Sequence, residues 1–261
     1  MIFMEYRIFE IDERTWRIEE YDENNSVYMY LLTGKRGAAL IDTGFGMIDI
    51  REVVSTLTKL PVFVINTHGH FDHTGGNPLF DEIHIHPADM EVYRAHSGEK
   101  MQKRFPMYTF RQPKENMVAM QDNEVFDLGG RTLRIIHTPG HSVGSVCILD
   151  QESRWLFTGD TCCKADVLLN LEFSTTVQEY LRSVIKLQKM ASQFDMTWPA
   201  HHTVPVKPEI LEQFYEAAKQ LCSHKAEGIP LSTLFGTAYR LELGDIAIMY
   251  TQERVMDQAE N

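Results

Sequence analysis

Long apolar runs are absent from this 261-residue chain. A stretch that crosses a bilayer needs about 20 consecutive apolar residues. The best candidate, Ala38 to Ile50, is broken by Asp42, Gly44 and Gly46. No apolar segment of the secretory type stands in Met1 to Glu10, which carries Glu5 and Arg7, so the expected location is the cytoplasm. Cysteine is scarce: Cys147, Cys162, Cys163 and Cys222 show no CxxC spacing, which argues against a disulfide framework. Positive charge is also in deficit, with 25 Lys and Arg against 37 Asp and Glu, a net −12. An acidic surface repels phosphate backbones, so neither nucleic acid nor a membrane is the expected partner. Repeats, low-complexity tracts and linkers are missing too. Hydrophobic residues make up 43% and charged residues 24%, an ordinary globular balance that excludes disorder as the main state.

Histidine is where the chain is uneven. Five of its 11 histidines lie between His68 and His86, and His201 and His202 are adjacent.

Strands are expected at Tyr6–Ile11, Thr15–Glu20, Ser26–Thr33 and Ala38–Ile41, separated by turn residues. Ile48, Val53, Leu57 and Leu60 have helical spacing over 48–60, ended by Pro61. Val62–Ile65 is a strand, and Asn77-Pro78 suits a short helical turn with Asn as its cap. A strand at Ile83–His86 and a helix at Ala88–Ala95 follow. Residues 96–123 form an irregular or helical segment rich in Met and aromatics. β structure resumes at 124–126, 132–137, 145–150 and 155–158. Helices are expected at 176–192 and 208–226, with strands at 196–198, 238–243 and 246–251. Strands in two blocks, each followed by helices, suggest two sheets in one layered α/β domain.

The sharpest motif is Thr67-His68-Gly69-His70-Phe71-Asp72-His73-Thr74-Gly75-Gly76, after a buried-type strand. In an extended stretch residues two apart point the same way, so His68 and His70 can grip one ion. A turn at Phe71 would send Asp72 and His73 toward a neighbouring ion, and two metals about 3.5–4 Å apart form a familiar hydrolytic pair. The glycines permit the tight backbone this crowding demands. Further ligand-type residues recur at strand ends: His141 in Thr138-Pro139-Gly140-His141, Asp160 in Thr158-Gly159-Asp160, and His201 in Trp198-Pro199-Ala200-His201.

These blocks, in this order, resemble the metallo-β-lactamase superfamily, with its H-x-H-x-D-H motif followed by single His, Asp and His ligands. Asp42 in Ile41-Asp42-Thr43-Gly44 resembles the family's early motif. The resemblance implies a four-layer αββα sandwich with metals held by loops at one edge. The blocks run from Asp42 to His201, about three-fifths of the chain, and the expected organisation is a single domain over 1–261, with 87–123 as a possible cap segment over the active site and 207–261 as a C-terminal helix and strands. Carried over by position, His68, His70 and His141 would bind one metal, Asp72, His73 and His201 the second, and Asp160 would bridge. Asp42 would orient a ligand histidine rather than bind metal. Ala200 departs from the family's usual Gly before the last ligand, and His201 is favoured for that role over His202.

Five imidazoles and two carboxylates without a thiolate suit two divalent ions, Zn²⁺ first, with Mn²⁺ and Fe²⁺ as alternatives. Asp160 stands where many antibiotic-cleaving relatives carry Cys or His, which argues against β-lactamase activity. Cys162 and Cys163 are expected to be buried small residues. His84 and His86 share a strand face without a supporting motif, His137 is expected to be structural, and His96 and His224 are expected at the surface. The expected reaction is hydrolysis of a small-molecule thioester, lactone or related ester by a hydroxide held between the metals, with Asp72 orienting it and shuttling its proton. The nearest reaction classes are glyoxalase II-like and lactonase-like. The rival is a persulfide dioxygenase-like oxidoreductase with a single iron.

Overall fold

The computed structural model describes residues 5–233 and 236–258. The chain forms two compact units: one runs up to Ile135 and includes Asp150–Glu152, the other comprises Ile136–Leu149 and the chain from Ser153 onward.

The first unit carries β1 (Glu5–Asp12), β2 (Thr15–Tyr21), β3 (Ser26–Thr33), β4 (Ala38–Ile41), α1 (Ile50–Leu57), β5 (Val62–Ile65), α2 (Phe71–Thr74), β6 (Ile83–Ile85), α3 (Met90–Ala95), α4 (Gly98–Arg104), β7 (Val118–Ala119), β8 (Val125–Asp127) and the start of β9 (Thr132–His137). Strands β1 to β7 form a sheet in chain order. It is antiparallel from β1 to β4 and parallel from β4 to β7. Helix α1 buries Ile50, Val53 and Val54 in a cluster with Ile18, Met29, Leu31, Leu40 and Val64. The helix is shorter than its apolar spacing predicts. Asp49 caps it by accepting from the Glu52 N–H, which leaves Ile48 outside, and Thr58 is already extended, with φ −145°. A side-chain cap and a change of backbone conformation override a periodic pattern.

The loop after β4 leans on an unusual group. Glu20, on β2, is fully buried, and its carboxylate accepts the Met47 and Ile48 N–H groups at 2.8 and 3.1 Å. Burial pushes its pKa up to about 7 from 4.5, against the opposing pull of these backbone donors. Between those values the native protein holds a proton that the unfolded chain has lost. Stability from this group is therefore fully present below the unfolded pKa and declines as pH rises to about 7, by up to about 3 kcal/mol. Urea unfolding at pH 5 and pH 8 should show this decline, and Glu20→Gln should flatten it; an unchanged slope in the variant would assign the pH dependence elsewhere.

The second unit carries β10 (Val146–Asp150, up to Leu149), β11 (Trp155–Gly159), β12 (Asp166–Leu168), α5 (Val177–Lys189), β13 (Met196–Pro199), α6 (Ile210–Cys222), β14 (Ile229–Thr233), β15 (Gly236–Leu243) and β16 (Ile246–Tyr250). Strand β11 lies between β10 and β13 and runs parallel to β13. A separate sheet has the order β12-β16-β15-β14. Helix α5, capped by Thr176, buries Tyr180, Val184 and Leu187 in a cluster with Phe214, Ala217 and Leu221 of α6. Two strands of this unit were not expected from the sequence, and with the tail they make a further sheet beyond the two expected. Strand β12 is three residues long and pairs with β16, far downstream. Strand β14 is a largely exposed strand at the sheet's end and contains Pro230, a residue that edge strands tolerate.

Candidate metal centre

The candidate residues of the first unit stand where parallel strands end. Ile41 and Ile65 are register partners, so the chain leaves β4 and β5 side by side, with the Asp42 N–H on the Ile65 carbonyl at 3.0 Å. Asp42 is buried with φ +60°, in the left-handed region that Asp tolerates better than most residues. Its Oδ1 accepts the Thr67 N–H at 2.8 Å, and its Oδ2 accepts the Thr67 hydroxyl at 2.7 Å and the His73 Nδ1–H at 2.8 Å. Because a carboxylate only accepts, His73 carries its proton on Nδ1 and presents the lone pair of Nε2. The Thr67 hydroxyl hydrogen is committed to Asp42, so Thr67 Oγ1 accepts from His68 Nδ1 at 3.0 Å, and His68 likewise presents Nε2. One buried carboxylate thus sets the tautomers of two histidines, one directly and one through Thr67.

The rings converge. His68 lies 4.7 Å from His70 and 4.0 Å from His73, centroid to centroid, and His73 Nε2 is 3.6 Å from Asp72 Oδ2. Helix α2 begins at Phe71, the turn expected there. The backbone is held by groups the sequence reading did not single out. Asp89, fully buried, accepts the Gly69 N–H at 2.6 Å, between His68 and His70. A Cβ at Gly69 would meet the Asp89 carbonyl oxygen and the Tyr93 nitrogen at 2.7 Å. Asn66 donates to the His73 carbonyl at 3.2 Å and pairs with Asn77. Asn77 was expected to cap a turn; its side chain instead bonds Asn66 and Thr43, and Gly76 precedes the turn.

Replacing Asp42 with asparagine puts an amide where three hydrogens converge. Metal affinity should weaken on the order of 10–100-fold. Chelator competition measures it, and wild-type affinity in the variant would show that the tautomer network is dispensable.

In the second unit, His141 is buried and its Nδ1 lies 2.9 Å from the Leu168 carbonyl oxygen. A carbonyl only accepts, so Nδ1 carries the proton and Nε2 the lone pair. That Nε2 is 3.5 Å from Asp160 Oδ2, while Asp160 Oδ1 is 3.5 Å from His201 Nε2. Each carboxylate oxygen therefore faces a different imidazole. These separations are long for hydrogen bonds, but donors about 2.0–2.2 Å from a tetrahedral ion sit roughly 3.4 Å from one another. The donor set fits divalent metal on this ground. His202 is exposed, with φ +64° and its ring 6.2 Å from that of His201. Ala200, the departure from the usual Gly, is buried with its N–H on the Gly159 carbonyl at 3.1 Å.

The other histidines divide. His84 is buried, bonded to Glu82 at 2.9 Å and set edge-on to Phe63 and Phe126. His137 sits with Nε2 3.0 Å from the Val143 carbonyl oxygen, and His224 is exposed, both as expected. His96, expected at the surface, is instead half-buried and stacked on His70 with centroids 4.6 Å apart. Its neighbours form an aromatic cluster: Phe71 contacts Phe45, Phe105, Tyr108 and Phe110 with centroids 5.6–6.1 Å apart, and Phe45 stacks on Tyr108 at 5.5 Å. Aromatic residues of segment 96–123 thus gather on the residue between His70 and Asp72. Cys162 and Cys163 are buried, and burial pushes the Cys163 thiol up to about 12.

A sequence profile of the metallo-beta-lactamase superfamily matches residues 23–191. The human acyl-coenzyme A thioesterase MBLAC2 is 26% identical over 264 residues, covering 90% of this chain and 92% of the relative. An atrochrysone carboxyl ACP thioesterase of Aspergillus fumigatus is 30% identical over 187 residues, covering 67% of this chain and 50% of the relative. Among solved structures, a metallo-beta-lactamase from Pontibacter korlensis superposes with a TM-score of 0.62 at 16% identity, covering 81% of this chain and 98% of that one. The chain belongs to the metallo-β-lactamase superfamily and has its α/β fold. It is accordingly a hydrolase, of a fold that implies divalent metal.

Proposed function

We propose that the two sets of residues act together, within one catalytic domain, as a dinuclear centre that hydrolyses an acyl thioester. His68, His70 and His141 would hold one ion, Asp72, His73 and His201 the other, and Asp160 would bridge. The observation that carries this reading is Asp160, whose two oxygens face two different imidazoles, each at 3.5 Å. Zn²⁺ is the first choice for an imidazole and carboxylate set without thiolate. When bound, two such ions would supply Lewis acidity for ionising a water near neutral pH and for stabilising the leaving thiolate.

The chain's own groups do the rest. Asp42 holds the His68 and His73 rings in the tautomer that presents Nε2. The Asp72 carboxylate, 21% exposed, can accept the proton of the attacking water and return it to the leaving sulfur. The aromatic cluster around Phe71 offers the acyl group an apolar wall. Thioesterase names among the relatives favour a thioester over a lactone, and a small-molecule substrate suits a chain of net charge −12 better than a nucleic acid does. No helix among the described residues is long and apolar enough to cross a membrane. Four free cysteines, three of them buried, suit a reducing compartment such as the cytoplasm.

The test is metal quantification on purified protein, paired with a panel of thioesters and lactones. About two divalent ions per chain are expected, with thioester turnover lost on chelation and falling below neutral pH. Protein that contains no transition metal after loading would refute this reading.

A further inference from the structure

Between Arg94 and Lys114 stand six cations and one acid, Glu99, in a chain whose net charge is −12. Three of the six lie outside helix α4. Arg94 faces Glu115 at 3.8 Å, Arg111 donates to the Gly46 carbonyl, and Lys114 donates to the Phe80 carbonyl and lies 3.7 Å from Asp81. The others, Lys100, Lys103 and Arg104, are all on α4. Their i, i+3, i+4 spacing puts them on one helix face, and all three are exposed, whereas Met101 is buried. Neither Lys100 nor Lys103 has an ion-pair partner among the described residues.

This basic face is tied to the candidate centre at both ends of the helix. Two residues before α4, His96 stacks on His70. At its other end the Arg104 guanidinium lies over the Phe105 ring, 5.6 Å from the centroid, and Phe105 stacks on Phe71 with centroids 5.6 Å apart. A compact patch of three cations, confined to a seven-residue helix beside an aromatic wall, matches a small ligand with clustered phosphates joined to an apolar group.

Resting on the thioesterase reading, we propose that the Lys100–Lys103–Arg104 face binds the phosphates of a coenzyme A thioester, while the aromatic cluster around Phe71 receives its acyl chain. In such a thioester the phosphates lie a pantetheine arm away from the carbonyl, so their site belongs beside the reacting centre and not in it. An acidic carrier protein is the poorer fit. It would need a broad basic surface, and outside this segment the chain is more acidic than its net charge suggests.

The experiment uses the full metal-loaded chain, Lys100→Glu/Lys103→Glu/Arg104→Glu, and the milder Lys100→Gln/Lys103→Gln as a second variant. Binding of coenzyme A itself is followed by calorimetry, and hydrolysis is compared on acyl-coenzyme A and acyl-pantetheine bearing the same acyl group. Wild type should bind coenzyme A with an affinity that falls as salt rises. The charge reversal should weaken it tenfold or more and lower the acyl-coenzyme A to acyl-pantetheine ratio of kcat/KM by a similar factor, the glutamine pair doing so to a smaller extent. Equal coenzyme A binding by wild type and both variants would overturn the proposal, as would an unchanged ratio. Thioester turnover without coenzyme A binding, or a preference for acyl carrier protein, would also overturn it while leaving the thioesterase reading intact. Failure of every thioester would instead defeat that reading, and calorimetry would still report on the patch.

Discussion

Asp160→Asn is expected to lower turnover on the order of a hundredfold or more, a barrier increase of about 2.7 kcal/mol. A carboxylate that lies between two cations offsets part of their repulsion, and an amide has no charge to do so. The loss should fall more on the ion that Asp72, His73 and His201 are proposed to hold than on the one proposed for three imidazoles, because Asp72 would also serve the attacking water. Folding should survive. The carboxylate is 18% exposed and lies between His141 and His201, so no apolar packing depends on its charge. Metal stoichiometry and kcat measured beside wild type decide the matter. Two full sites with unchanged kcat would remove Asp160 from the bridging position.

Arg131→Met should cost about 3–5 kcal/mol of stability and on the order of 10 °C in Tm. Arg131 and Asp150 are both fully buried, with the guanidinium 2.6 Å from Asp150 Oδ2. The same guanidinium donates to the Arg14 carbonyl at 2.7 Å and the Thr15 hydroxyl at 2.8 Å. Removing it leaves a carboxylate in the interior without its cation, and the expense of the change is that stranded charge more than the lost attraction. Arg131→Met/Asp150→Leu should therefore recover much of the loss. Urea unfolding of both variants measures this, and a single variant within 1 kcal/mol of wild type would show that Asp150 is neutral or solvated there.

Much of the architecture was legible where neighbouring residues decide it. Strands β3, β4, β5 and β9 have the predicted bounds, because each is an apolar or β-branched run closed by turn residues. Helix α5 was legible by its face of Tyr180, Val184 and Leu187. Helix α1 came out short because a cap at Asp49 outweighed the spacing of Ile48 and Leu60. Strand β12 was not legible at all: three residues carry no period, and its partner β16 lies far along the chain.

The candidate ligands divide in the same way. By itself the sequence determined the residue types and their order, from Asp42 through the His68–His73 motif to His141, Asp160 and His201, because a metal's demand for imidazole and carboxylate is written in residue identity. Only the tertiary structure decided which nitrogen the His68, His73 and His141 rings present. The Thr67 hydroxyl relays Asp42 to His68, the Leu168 carbonyl fixes His141, and Asp89 pins Gly69. It also moved His96 from the surface onto His70. The physical reason is that a hydrogen bond or a ring contact depends on atoms within a few ångströms, whatever their separation in the chain, and a motif records only what is adjacent in sequence.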